Sequence, residues 1–429
     1  MENKVSINNN SVDFAGITRE YKEAVSELIW NGFDAGATTV DLIFDANEID
    51  FIPSLTIKDN GSGINLATLG NTFGSFLDSL KRSAEQRSSY IRGKKGKGRF
   101  SFIAFAQSAI WNTTYLDEVS GEHLTYDVTI HAATKDFYHD ENKIIATTKQ
   151  TGTELQLLNL FGVTAYSFTS AAFQDYLKYE FGWFLLLNSK QGYTLCINGI
   201  PILYEDILAD HQVSEREFVD ASSSRFNFTI TFVRWKERIG DKFYYYFLDG
   251  NKKEVYKQLT SFNNNAINFN HSIYIESDYF NNFNAGDQEM SELLFGSNQQ
   301  SPIFKMLIKE LQKITSLKQK QFVRETAADA LINSLQRSGT MPVFGESIEE
   351  QRKKVHFEQV VRELYCIQPR VFKGLNDIQE RTILVFINRL IDRQPAEDIL
   401  SLFAPILNIS DDDRDAFRNA LKVDFVVNE

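Results

Sequence analysis

The sequence predicts an α+β protein in three parts, and three observations predict it. Residues 1–160 mix helical and strand patterns and hold the glycine clusters. Residues 161–297 are rich in aromatic and β-branched residues separated by turn signals, as a strand-rich unit would be. Through 298–429 apolar residues recur at three- and four-residue steps, the spacing of helix faces. A chain of 429 residues suits two to four domains at roughly 100 to 200 residues each.

Composition narrows the function classes. With 35 Phe, 17 Tyr and 4 Trp the chain demands a buried core, which excludes a disordered tail. A net charge of -12 repels phosphate overall, so general nucleic-acid binding would need a local basic patch. Cys196 and Cys366 lie too far apart in sequence for a zinc motif and form no disulfide framework. The longest apolar run, around Phe181–Leu187, is far too short to span a bilayer, so no membrane partner is expected. The opening MENKVSINNN has no apolar core of a secretion signal, and a cytoplasmic, reducing compartment is the expectation.

Along the chain, EAVSELIWNGFDAGATTV (23–40) predicts a helix that stops near Asp34-Ala35-Gly36, with Gly36 as its cap. Glu27 and Asn31 are four apart and share a face, and Asp34 extends that stripe. The stripe suits either a solvated face or a site. In SLTIKDNGSGI (54–64) a short strand ends at Ile57, with Asp59 at its mouth and Asn60-Gly61-Ser62-Gly63 turning the chain. That is either an ordinary glycine turn or a buried carboxylate that accepts a hydrogen bond from a planar ligand. In the second case Gly61 and Gly63 would let the ligand approach the backbone.

YIRGKKGKGRFSFIAFA (90–106) places Gly93, Gly96 and Gly98 before a run that reads as a helix, where successive backbone N–H groups bind anions. Residues 81–99 carry Lys81, Arg82, Arg87, Arg92, Lys94, Lys95, Lys97 and Arg99 against Glu85 alone. Such a cluster suits phosphates, a solvated loop or a nucleic-acid contact. TGTELQLLNL (151–160) enters a strand at Gly152-Thr153.

Further on, FNFTITFVRW (226–235) and DKFYYYFLDG (241–250) read as strands joined by a tight turn at Ile239-Gly240-Asp241, and NHSIYIES (270–277) alternates in the same way. YTLCINGIPI (193–202) carries Asn198-Gly199 between apolar runs, a hairpin signal. Ile303, Leu307, Leu311, Ile314 and Leu317 share one helix face, with Lys305, Lys309, Lys313 and Lys320 elsewhere around it. Asn298–Pro302 and Gly339–Glu346 read as breaks between units.

In this order the four N-terminal elements resemble the GHKL ATPase superfamily, the Bergerat-fold group that includes DNA gyrase B, heat-shock chaperone ATPases, sensor histidine kinases, MutL and MORC proteins. The group's pattern is E-x-x-x-N-x-x-D-A, D-x-G-x-G, G-x-x-G-x-G and G-T. It is carried here by Glu27-Asn31-Asp34-Ala35, Asp59-Gly61-Gly63, Gly93-Gly96-Gly98 and Gly152-Thr153. The likeness covers the first 160 residues, and the middle segment is similar to the transducer domain of MutL, gyrase and MORC. It implies a mixed sheet with helices on one face, and ATP with Mg2+ between the helices and a lid.

By that resemblance Asp59 takes the adenine amino group, Thr153 supports the contact through its hydroxyl and an ordered water, and Gly61 and Gly63 make room for the base. Asn31 would ligate Mg2+ and Glu27 would deprotonate the attacking water. Asp34 joins the nucleotide-binding residues. The Gly93–Gly98 loop would wrap the triphosphate, with Lys95 or Lys97 adding charge. Lys236, Lys252, Lys253 and Lys257 are the candidates for a transducer lysine at the γ-phosphate. The lid departs from the family: GSFLDSLKR (74–82) stands where relatives carry a shorter G-T-S-S-K-like stretch. Trp30 occupies a position often polar in relatives and reads as core.

The histidine-kinase branch expects a phospho-accepting helix for which the chain leaves no room. Gyrase expects a metal-binding domain not visible after residue 290. The resemblance thus implies a slow ATPase acting as a clamp. Two copies would close through their N-terminal regions, with the polar first 14 residues as an exchanged arm. Relatives of this layout act in DNA transactions or phage defence beside a nuclease, so DNA or a protein effector is the possible partner. The alternatives are a nucleotide-gated scaffold with little turnover that regulates an effector, and a chaperone-like clamp for protein clients.

Overall fold

The computed structural model of the protein describes residues 2–4, 20–74, 98–134, 137–140, 144–239, 242–260, 267–283, 298–407 and 411–422. Its first sheet has ten strands: β1 Glu2–Lys4, β2 Thr39–Ile43, β3 Ser54–Asp59, β4 Ala106–Leu116, β5 His123–His131, β6 Phe137–Asp140, β7 Ile145–Thr147, β8 Gly152–Leu160, β9 Thr194–Ile197 and β10 Ile200–Pro201. The order is β1-β6-β5-β4-β8-β3-β2-β9-β10, with β7 also on β5. It is antiparallel except between β2 and β9, so the sheet is mixed.

Alternation along β2, β3 and β8 buries Val40, Leu42, Leu55, Ile57, Leu155 and Leu157 on one face, and it leaves Lys58 and Glu154 paired at 2.6 Å on the other. Over the apolar face lie α1 Tyr21–Asp34, α2 Leu69–Gly74, α3 Ala165–Thr169 and α4 Ala171–Leu187. Helix α1 buries Val25, Leu28, Ile29 and Phe33, each fully buried apolar side chain contributing roughly 1.5–3 kcal/mol. It ends where the sequence predicts, with Gly36 at φ 77. Trp30 is core: it packs against Phe181, Trp183 and Phe184 and donates its indole N–H to Glu180 at 3.1 Å. This apolar core takes in residues as far as Ile197.

The second sheet contains β11 Leu208–Val219, β12 Arg225–Trp235, β13 Tyr244–Leu248, β14 Glu254–Leu259 and β15 His271–Glu276, in the order β11-β12-β15-β13-β14. The expected β12–β13 hairpin does not form. Strand β15 inserts between them, antiparallel to β12 and parallel to β13. Nor does β15 alternate between core and solvent: His271 to Ile275 are all buried. Its two faces meet different partners. Ile273 and Ile275 join the core shared with the C-terminal helices, while Tyr274 stacks on Trp183 of α4. A central strand covered on both sides has no solvent face for its pattern to report.

The C-terminal helices are α5 Pro302–Phe322, α6 Ala328–Arg337, α7 Ile348–Ile367, α8 Asp377–Arg393, α9 Ala396–Leu407 and α10 Asp411–Leu421. They share one hydrophobic core with the second sheet. On α5, Ile303, Leu307 and Leu311 are buried as expected, but Leu317 is 58% exposed because the buried face drifts to Thr315 and Phe322. Among the described residues no helix is long and apolar enough to cross a membrane.

Candidate functional site

The apolar face of the first sheet turns polar at its last rung. Along β3 the buried sequence Leu55, Ile57 ends in Asp59, so the strand runs two residues beyond Ile57 and the carboxylate is part of it. Along β8 it ends in Thr153, and along β4 Ala109 and Trp111 give way to Thr113. The ladders pair Asp59 with Thr153, Thr153 with Thr113 and Thr113 with Tyr126, so these four side chains form one row across the sheet.

The segment after Asp59 folds back over this row. Gly61 N donates to Asp59 Oδ1 at 2.8 Å, and Ser62 N donates to Ala35 O at 2.9 Å, which ties the turn to the end of α1. Ile64 is held through both peptide groups: its N–H donates to Thr113 Oγ1 at 2.8 Å, and its carbonyl accepts from Tyr126 Oη at 2.9 Å. Two glycines are obligatory here. Gly63 sits at φ 72, where a methyl would lie 2.1 Å from Thr114 O, and one on Gly152, at φ 148, would lie 2.3 Å from Asp59 O.

Helix α1 closes the site from above. A methyl on Gly32 would lie 3.0 Å from Asp59 Cβ, so this glycine in the last turn lets α1 settle on Asp59. Glu27, half-buried, and Asn31, exposed, lie on the same helix. Gly98 arrives against both: a methyl there would lie 3.3 Å from Asn31 Oδ1 and 3.4 Å from Glu27 Oε2. The run after Gly98, expected as an α-helix, is a short 3-10 helix, Gly98–Ala104, that leads into β4 and buries Phe100 and Phe102.

Burial shapes the charges. Dehydration raises the Asp59 carboxyl, opposed by the amides of Gly61 and Thr153. Asp34 is exposed at its surface yet ringed by protein, and dehydration pushes its carboxyl up to about 6. Arg99 lies against the rings of Phe73 and Phe100, with its guanidinium lowered to about 10 by burial.

The structure thus brings Glu27, Asn31 and Gly98 together, and Asp59, Gly61, Gly63 and Thr153 together, with Asp34 at the end of α1. Gly93, Lys95, Gly96 and Lys97 lie outside the described residues, as do the remaining basic residues from Lys81 to Lys94 and nearly all of the lid segment. Of the candidate transducer lysines, Lys252 donates to Leu187 O at 2.5 Å, at the C-terminus of α4, and Lys257 lies over the Tyr244 ring.

Gly32, Thr113 and Tyr126 are not singled out by the sequence pattern. Gly32 had a signal, since glycine inside a helix costs about 1 kcal/mol and implies a reason. Thr113 had none, because threonine is ordinary in a strand.

A helix carrying an acid and an amide over a mixed sheet, with a glycine turn and a buried Asp–Thr pair beneath, defines a GHKL-type nucleotide-binding domain. Residues 19–154 match the family described as histidine kinase-, DNA gyrase B-, and HSP90-like ATPase. That segment is therefore a domain of the GHKL ATPase type. No curated protein matches the chain.

Proposed function

We propose that the chain is a magnesium-dependent ATPase that works as a nucleotide-operated clamp. The approach of Gly98 to Glu27 and Asn31 carries this reading: a methyl on this glycine would lie 3.3 Å from the Asn31 amide oxygen and 3.4 Å from the Glu27 carboxylate, so backbone, acid and amide meet at one place. In this reading Asp59 accepts the adenine amino group, Gly61 and Gly63 leave room for the base, and Thr153 supports the contact. Asp34 borders the nucleotide at the end of α1. The Gly93–Gly98 loop, with Lys95 or Lys97, faces the phosphates.

Asn31 fits a magnesium site because its side-chain oxygen lies in a cradle that a Cβ at position 98 would fill. Among the described residues no group of three His, Cys, Asp or Glu could hold a metal alone, so the remaining oxygens come from phosphates and water. The cation supplies charge neutralisation at the phosphate oxygens. Glu27 takes a proton from the attacking water as the water oxygen bonds to the γ-phosphorus and the bond to the bridging oxygen breaks.

Binding of a non-hydrolysable ATP analogue, phosphate release and solution mass test the reading together. Glu27→Ala should bind the analogue normally while phosphate release falls by roughly 100-fold or more. Asp59→Asn should lose affinity by roughly 100-fold or more, since an acceptor becomes a donor facing an amine. Phosphate release by Glu27→Ala at the wild-type rate would sink the enzyme reading. A mass that does not double with the analogue would sink dimerisation and leave a monomeric switch.

A further inference from the structure

Thr113 occupies a position in the site row that the ATPase reading leaves without a role. It is fully buried, and its hydroxyl has a countable set of partners. Oγ1 accepts the Ile64 N–H at 2.8 Å, which uses one lone pair. Its own proton has two acceptors within reach, Thr153 Oγ1 at 3.2 Å and Gly152 O at 3.4 Å. Both are long for an O–H···O bond, and Thr153 Oγ1 is the nearer acceptor.

When Thr113 donates to Thr153, the Thr153 proton cannot return to Thr113 and is left for a ligand. Thr153 then acts as a donor beside Asp59, its ladder partner and an acceptor. An acceptor next to a donor complements the edge of adenine, where the C6 amino group donates and the neighbouring N1 accepts. Guanine presents the reverse, an O6 acceptor beside an N1–H donor. If Thr113 instead donated to Gly152 O, Thr153 would donate to Thr113 and offer the base only a lone pair.

We propose that Thr113 is a specificity-determining positioning residue: by donating to Thr153 it orients the Thr153 hydroxyl as a donor toward the base, so that the Asp59–Thr153 pair selects adenine over guanine nucleotides. This rests on the reading of Asp59 as the base contact. Ile64 is pinned to Thr113 and Tyr126 at once, which fixes the Thr113 hydroxyl in place.

The test uses the full chain with Thr113→Val, which keeps the shape and removes the hydroxyl, and Thr113→Ser, which keeps the hydroxyl. Dissociation constants are measured for ATP, GTP and an ATP analogue in which CH replaces N1, with thermal unfolding confirming that each variant is folded. In the wild type, loss of N1 should weaken binding about tenfold, the value of one hydrogen bond. In Thr113→Val, ATP should bind about tenfold more weakly, the N1 penalty should shrink below about threefold, and the gap between ATP and GTP should narrow. Thr113→Ser should restore all three. Uniform weakening of the three nucleotides by Thr113→Val, with the N1 penalty intact, would show a purely structural role and overturn the proposal. A wild type that binds no nucleotide would overturn the ATPase reading beneath it, while ATP binding with no N1 penalty in the wild type would overturn this proposal alone.

Discussion

Buried polar groups behave differently in the two sheets. Around the second sheet several of them close on one another. Tyr245 Oη meets Thr315 Oγ1 at 3.0 Å while Thr315 donates to Leu311 O, His271 lies between Phe269 O and Thr260 Oγ1, and Trp235 donates to Ser272. In the first sheet the row Asp59, Thr153, Thr113 runs to the foot of a glycine-built turn, against a helix that a glycine brings close. The chemistry is the same, a hydroxyl or carboxylate removed from water and given partners. A closed set of partners specifies a core, whereas a row bordered by glycines leaves room for a ligand to complete it.

That contrast can be broken from several sides. The largest effect is expected at the back of α1. Trp30→Ala removes a buried indole and its bond to Glu180, and should cost about 3–5 kcal/mol in urea unfolding. A stability near wild type would mean that α4 does not hold α1 in place.

Next comes pH. Burial keeps His271 neutral, with a pKa lowered from 6.5 to about 4. The unfolded chain binds its proton more readily, so stability falls as pH drops through that window. Between pH 7 and pH 5 the loss should be about 2 kcal/mol, and His271→Gln should flatten it. Asp34 works in the opposite sense: its carboxyl is pushed up to about 6, so the folded state holds that proton and gains stability as pH falls toward 3.8. Asp34→Asn should therefore steepen the acid loss, and a shallower slope would contradict the sign.

The smallest effect is expected at Tyr245→Phe. Thr315 keeps Leu311 O as a partner, so unfolding should shift by about 1 kcal/mol with no change in ATP affinity. A changed affinity would join the two regions that the contrast separates.

Local features are legible in the sequence. The stop of α1 at Gly36, the glycine turn after Asp59 and the Asn198-Gly199 hairpin, with φ 49 and φ 75, each depend on a few adjacent residues. The same holds for the ordered motifs that assigned Glu27, Asn31, Asp59 and Thr153 to one kind of site. Strand adjacency is not legible in the same way. Nothing in FNFTITFVRW or DKFYYYFLDG says that a later strand lies between them, because pairing depends on the register and burial of segments distant in sequence. Leu317 misled for a related reason: its spacing fits the face, but the buried face drifts to Thr315 and Phe322, which only packing against distant segments decides.

The sequence by itself determined the residue types: an acid and an amide one turn apart on a helix, a carboxylate before two glycines, and a threonine after a third. These choices are dictated by backbone conformation and ligand chemistry, both local. Only the tertiary structure decided that Asp59, Thr153, Thr113 and Tyr126 form one row, that Gly98 meets Glu27 and Asn31, and that Trp30 faces away from them into α4. Each of those facts is a matter of register or packing between segments far apart in the chain, and it exists only once the sheet has closed and the helices have settled on it.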